Sequence, residues 1–123
     1  MKYYVLFFLL LIFAVNAKAQ QNQAQNQIQT QSNLAIQYYN ARDYEKAAPL
    51  LYGVYELTKN STYFKYYLDC LIQLQRFDEA TSQIQSELKK QRPPKPEFYI
   101  NWGYVLKMRS EERRVGKECR SRW

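Results

Sequence analysis

Apolar and polar positions divide this chain into stretches with different rules. Tyr3 to Val15 is a nearly unbroken apolar run behind the short positive start Met1-Lys2. Gln20 to Gln31 is polar, uncharged and dominated by Gln and Asn. From Leu34 onward apolar residues return at helical spacing. Leu34, Ala35, Tyr38 and Ala41 share one face of a first helix, and Asn40 to Asp43 reads as a short turn. Asp43 is placed to cap a second helix whose inner face is Tyr44, Ala47, Leu51, Val54 and Tyr55. Pro49 lies in its second turn and predicts a bend there, because it removes one backbone hydrogen bond. Asn60 suits that helix's C-terminus, and Ser61 the cap of the next start. Phe64, Tyr67, Leu68, Leu71 and Ile72 predict a third helix, and Phe77, Ala80, Ile84 and Leu88 a fourth. Pro93-Pro94-Lys95-Pro96 stops it, and Pro96 opens a fifth with Tyr99, Trp102, Gly103 and Leu106 as its apolar face. The fold class expected is all-α, with helices in antiparallel pairs.

One similarity organises these helices. Tyr44-Glu45-Lys46-Ala47 is echoed 33 positions later by Phe77-Asp78-Glu79-Ala80. A period of that length points to stacked helix-turn-helix units rather than one closed core.

The apolar start has the three parts of a secretory signal: a charged beginning, an apolar stretch, and the small residues Ala17 and Ala19 flanking Lys18. Its apolar run falls short of the roughly 20 residues that span a bilayer. Residues 1–19 are therefore expected to be a signal peptide cleaved after Ala19; the alternative is an uncleaved anchor. Ala17-Lys18-Ala19-Gln20 resembles the signal peptides of Bacteroidota, which implies a periplasmic or cell-surface location in a Gram-negative bacterium. Residues 20–31 are expected to be a solvated low-complexity leader, since the tract has too little apolar surface to offset its ordering entropy. The alternative is that its C-terminal half adds a turn to the first helix.

The paired helices of residues 32–108 resemble the tetratricopeptide repeat family. The first copy is carried by Leu34-Ala35, Tyr38, Tyr44, Ala47 and Leu51, and the second by Phe64, Tyr67, Leu71, Phe77, Ala80 and Ile84. A third begins with Tyr99, Trp102-Gly103 and Leu106 and then stops. Two positions depart from the family pattern. Gln31 stands where a bulky residue is preferred, and Leu68 replaces the small residue that lets paired helices approach. The second pair is thus expected to sit further apart. An unrelated array of helical hairpins is the competing reading.

Residues 109–123, Arg109-Ser110-Glu111-Glu112 through Trp123, show no helical period. They resemble the in-frame translation of a common short-read sequencing adapter, AGATCGGAAGAGC, which reads Arg-Ser-Glu-Glu before an arginine codon. That resemblance implies that the segment is not a domain and that Cys119 and Trp123 carry no function. The alternative is a basic tail for nucleic acid or anionic lipid.

Charge changes the picture little. The formal net charge is +7, but outside the signal and the tail ten basic residues face eight acidic ones. That balance gives no reason to expect nucleic acid or, after signal cleavage, a membrane as partner. The chain has no histidine, three glycines and two cysteines without metal-ligand spacing. A His-based triad, a His metal site and a Gly-rich phosphate loop are excluded. No catalytic residue, cofactor, metal or small-molecule substrate is expected, and Cys70 reads as a small buried residue.

The resemblance implies an inner, concave face lined by the first helices of successive pairs. Its candidates are Ile36, Tyr39 and Asn40, then Lys65, Asp69, Ile72 and Gln73, then Ile100, Tyr104 and Lys107. Tyrosine suits such a groove because it buries area at low rotamer cost and keeps a polar tip. The alternative is that these residues only shield the core or meet further repeats. A lysine–asparagine clamp for a peptide carboxylate, known in some family members, is not expected, because Ser32 and Ile36 occupy its positions in the first copy. The expected function is a non-catalytic scaffold binding protein or peptide. The alternative is an accessory repeat segment of a larger envelope protein, sensor or enzyme.

Overall fold

The computed structural model describes residues 1–121, with side chains through Arg114. Among the described residues the chain is all-α. Its helices are α1 (Lys2–Asn40), α2 (Tyr44–Thr58), α3 (Ser61–Gln73), α4 (Phe77–Lys90) and α5 (Pro96–Ser121). The closest packing is of α2 against α1 and α3; α4 packs mainly on α5, and α3 meets both α4 and α5 more sparingly.

The core follows the helical periodicity of the middle three helices. Ala47, Leu51, Val54 and Tyr55 are buried on α2, Phe64, Tyr67, Leu68, Leu71 and Ile72 on α3, and Ala80 and Ile84 on α4. Aromatic rings run through the centre: Tyr55 lies 4.8 Å from Phe64, and Phe64 5.3 Å from Phe98. Pro49 is accommodated within α2, which continues to Thr58.

The two tight turns repeat each other bond for bond. At the first, the amides of Ala41, Arg42 and Asp43 donate to the carbonyls of Gln37, Tyr39 and Tyr38. At the second, 33 positions on, Leu74, Gln75 and Arg76 donate to Cys70, Ile72 and Leu71, and all six bonds measure 2.8–3.0 Å. Arg42 and Gln75 take the same left-handed backbone, φ 61° and 59°. Reversing the chain this tightly needs one left-handed residue after each helix. The caps differ. The Asp43 side chain accepts from the Lys46 amide at 3.4 Å, whereas Arg76 provides no side-chain cap to α4.

Five expectations need correction. Asn60 is not a C-terminal residue of α2: Lys59 takes the left-handed position (φ 53°), and Asn60 caps α3 by accepting from the Thr62 amide at 3.0 Å. Asn is at home in either role, so composition alone leaves the register open by one. On α5 the inner face is Phe98, Trp102 and Val105, while Tyr99, Gly103 and Leu106 are exposed. Phe98 sits 34 positions after Phe64 and packs against it with the rings tilted by 56°, and that contact fits the phase of the helix.

Residues 20–31 are helical within α1, well beyond one added turn, yet almost entirely exposed. Gln and Ala favour the helix, and extending a formed helix is far easier than starting one. Residues 109–121 likewise continue α5, because Arg and Glu are good helix formers. Arg109 pairs with Asp78 at 3.1 Å. On α1 the inward residues are Ser32 and Ala35, with Leu34 turned to solvent.

Candidate functional site

The helices α1, α3 and α5 enclose a groove of about 540 Å³ lined by Tyr39, Lys65, Tyr66, Leu68, Asp69, Ile100, Asn101 and Tyr104. α3 and α5 contribute residues at three- or four-residue spacing, so one face of each meets the groove, and α1 contributes Tyr39. A shallower extension of about 380 Å³ continues past Lys65, Tyr66, Ile100 and Asn101 to Ser61, Thr62 and Glu97.

The polar centre of the groove is a hydrogen bond between helices. The Tyr39 hydroxyl donates to Oδ2 of Asp69 at 2.5 Å. Burial, followed by this bond to a carboxylate, holds the Tyr39 phenol well above its ordinary range, so it remains a donor. The Tyr66 ring lies 4.9 Å from that of Tyr39, and Tyr44 meets Tyr39 edge-on at 5.9 Å. Asp69 makes no ion pair among the described residues.

Of the ten concave-face candidates, Tyr39, Lys65, Asp69, Ile100 and Tyr104 come together here. Ile72 does not, being buried in the core. Ile36 is half-buried against the core, and Asn40, Gln73 and Lys107 are exposed outside the groove lining. Sequence reasoning missed Tyr66, Leu68 and Asn101. Tyr66 lies on the same stripe as Thr62, Asp69 and Gln73, so a shift of phase by one residue would have found it. Leu68 was assigned wholly to the core, yet one part of it forms the groove floor.

Elsewhere, the buried carboxylate of Glu87 accepts from Tyr55 at 2.7 Å and Lys90 at 3.1 Å, joining α2 to α4. Burial pushes the Tyr55 phenol up, with the Glu87 bond adding to it, and pushes Tyr67 up to about 12. Cys70 is fully buried, and desolvation raises its thiol to about 12, so it stays protonated and unreactive at neutral pH. Among the described residues no group of three His, Cys, Asp or Glu side chains is placed to hold a metal ion.

No protein-family model, no curated protein and no solved structure matches the chain.

Proposed function

We propose that residues 32–108 are tetratricopeptide-like repeats forming a non-catalytic scaffold, which holds a protein or peptide in the groove between α1, α3 and α5. The observation that carries this reading is the turn that recurs bond for bond after 33 residues. A turn repeated at that period stacks like helices beside like, so α1, α3 and α5 present neighbouring faces. Their shared face holds three tyrosines and few ionic contacts, a surface suited to adaptable partner binding.

The N-terminal segment supports export. Every residue from Met1 to Gln27 is exposed, and α1 is long and apolar enough by composition to enter a membrane. We assign the apolar part as a signal sequence cleaved after Ala19, placing the repeats in the periplasm or at the cell surface. N-terminal sequencing of the protein recovered from an envelope fraction tests this, and an intact Met1 would make the segment an anchor instead. Residues 109–123 receive no functional role, given their resemblance to adapter sequence.

The binding proposal is tested by recovering partners from envelope extract with the wild-type chain and with Tyr39→Ala/Tyr104→Ala. A specific partner should be lost with the double substitution. Equal recovery would remove the groove from consideration.

A further inference from the structure

We infer that the groove selects peptides carrying an arginine side chain, whose guanidinium pairs with Asp69 among the rings of Tyr39, Tyr66 and Tyr104. The inference rests on the peptide-binding reading and adds the chemistry of its ligand.

Three observations converge on it. First, Asp69 is a half-buried carboxylate with one hydrogen-bond donor from the protein, Tyr39, and no cation among the described residues. An ionised carboxylate offers about four acceptor positions. Most of the acceptor capacity of Asp69 is thus not taken up by the described residues. Second, the carboxylate lies in a half-open groove lined by aromatic side chains. Tyr39 and Tyr66 are in ring contact, and Tyr104 completes the lining from α5. Aromatic faces attract cations, and a guanidinium can stack on a ring while its N–H groups reach a carboxylate. Third, Tyr39 is already fixed as a donor toward Asp69, so the aromatic wall and the carboxylate are held together before any ligand arrives.

Lys65 also lines the groove and carries the opposite preference. It is exposed, lies one turn before Asp69 and forms no ion pair with it. Its side of the groove leads toward Glu97, a second carboxylate. Lys65 therefore borders the arginine position and does not occupy it.

The test is selection of an mRNA-displayed random hexapeptide library, with blocked termini, on the full chain in detergent micelles. Arginine should be enriched at one position. The enriched peptide, measured by fluorescence anisotropy, should bind about tenfold more weakly to Asp69→Asn, the scale expected for losing a charge-assisted hydrogen bond. Lys65→Ala should bind it at least as well as wild type. The same peptide with citrulline in place of arginine removes the charge without touching the protein and should also lose about tenfold. Enriched peptides without arginine, or equal binding of the citrulline form, would overturn the inference while leaving a peptide groove in place. No enrichment over Tyr39→Ala/Tyr104→Ala would overturn both.

Discussion

The α1–α2 and α3–α4 hairpins share one turn and differ in what lies between their helices. Four backbone hydrogen bonds recur at the two turns, including Ala47 to Asp43 and Ala80 to Arg76. Yet α1 and α2 approach over a long stretch, and α3 and α4 over a short one. Ala35 is the fully buried apolar residue of α1; its counterpart 33 positions on is Leu68. A methyl lets two backbones come close, whereas an isobutyl group holds them apart. The turn therefore sets where a hairpin reverses, and the size of the side chain at this position is the expected control on how tightly it closes. The wider second hairpin has consequences: α4 leans on α5, and Leu68 supplies part of the groove floor.

The largest expected effect follows from removing that wedge. Leu68→Ala should cost about 2–5 kcal/mol, the range for truncating a buried leucine. A loss under about 1 kcal/mol in urea titration would mean that α3 and α4 close onto the smaller residue, and the wedge argument would fail. The converse change, Ala35→Leu, should cost about 1–3 kcal/mol through overpacking of the tighter pair. Unchanged stability would show that the first hairpin has room to spare.

The ties between hairpins come next. Tyr55→Phe leaves the buried Glu87 carboxylate one donor short and should cost about 1–3 kcal/mol. Tyr39→Phe, at a half-exposed site where water can replace the hydroxyl, should cost less. A larger loss at Tyr39 would reverse this ranking of the two ties.

Alkaline pH probes the same phenols. Tyr39, Tyr55 and Tyr67 all have folded values raised above the ordinary tyrosine value near 10. Above about pH 10 the unfolded chain loses phenol protons that the folded chain keeps. Stability is therefore complete below pH 10 and declines as pH rises through the folded values, about 12 for Tyr67. Melting curves of Tyr67→Phe against wild type between pH 9 and 12 should show a shallower decline for the variant; parallel curves would contradict the assignment.

The smallest effects separate the caps. Asp43→Ala should cost about 1 kcal/mol, because α2 loses its side-chain cap. Arg76→Ala should change stability by less than about 1 kcal/mol, since it removes only exposed pairs with Glu79 at 2.6 Å and Glu45 at 3.9 Å. Equal losses at both positions would mean that the turns are capped alike after all.

The readable parts of this chain were those in which one local rule operates. The inner faces of α2 and α3 follow from a 3.6-residue period, and Asp43 declares a helix start by its side-chain oxygen. Half of the groove candidates converge because α1, α3 and α5 line one groove. Where two local rules allowed different outcomes, the reading slipped by one residue. Asn60 could end a helix or begin one, and α5 carries apolar residues on two adjacent stripes. Glu87 gave no signal although it continues the buried Ala80–Ile84 stripe, because a glutamate near a helix end reads as solvated until Tyr55, 32 positions earlier, is seen to meet it.

Periodicity, turn chemistry and the 33-residue echo were sufficient for an all-α chain with two like turns, since each depends on contacts within a few residues. The phase of α5, the spacing of α3 from α4 and the union of Tyr39 with Asp69 were decided in three dimensions. Each depends on side chains some 30 residues apart, where Phe98 finds Phe64, Leu68 fills a space that Ala35 does not, and a phenol reaches across to a carboxylate. Local patterns say which face of a helix turns inward; only packing decides what that face meets.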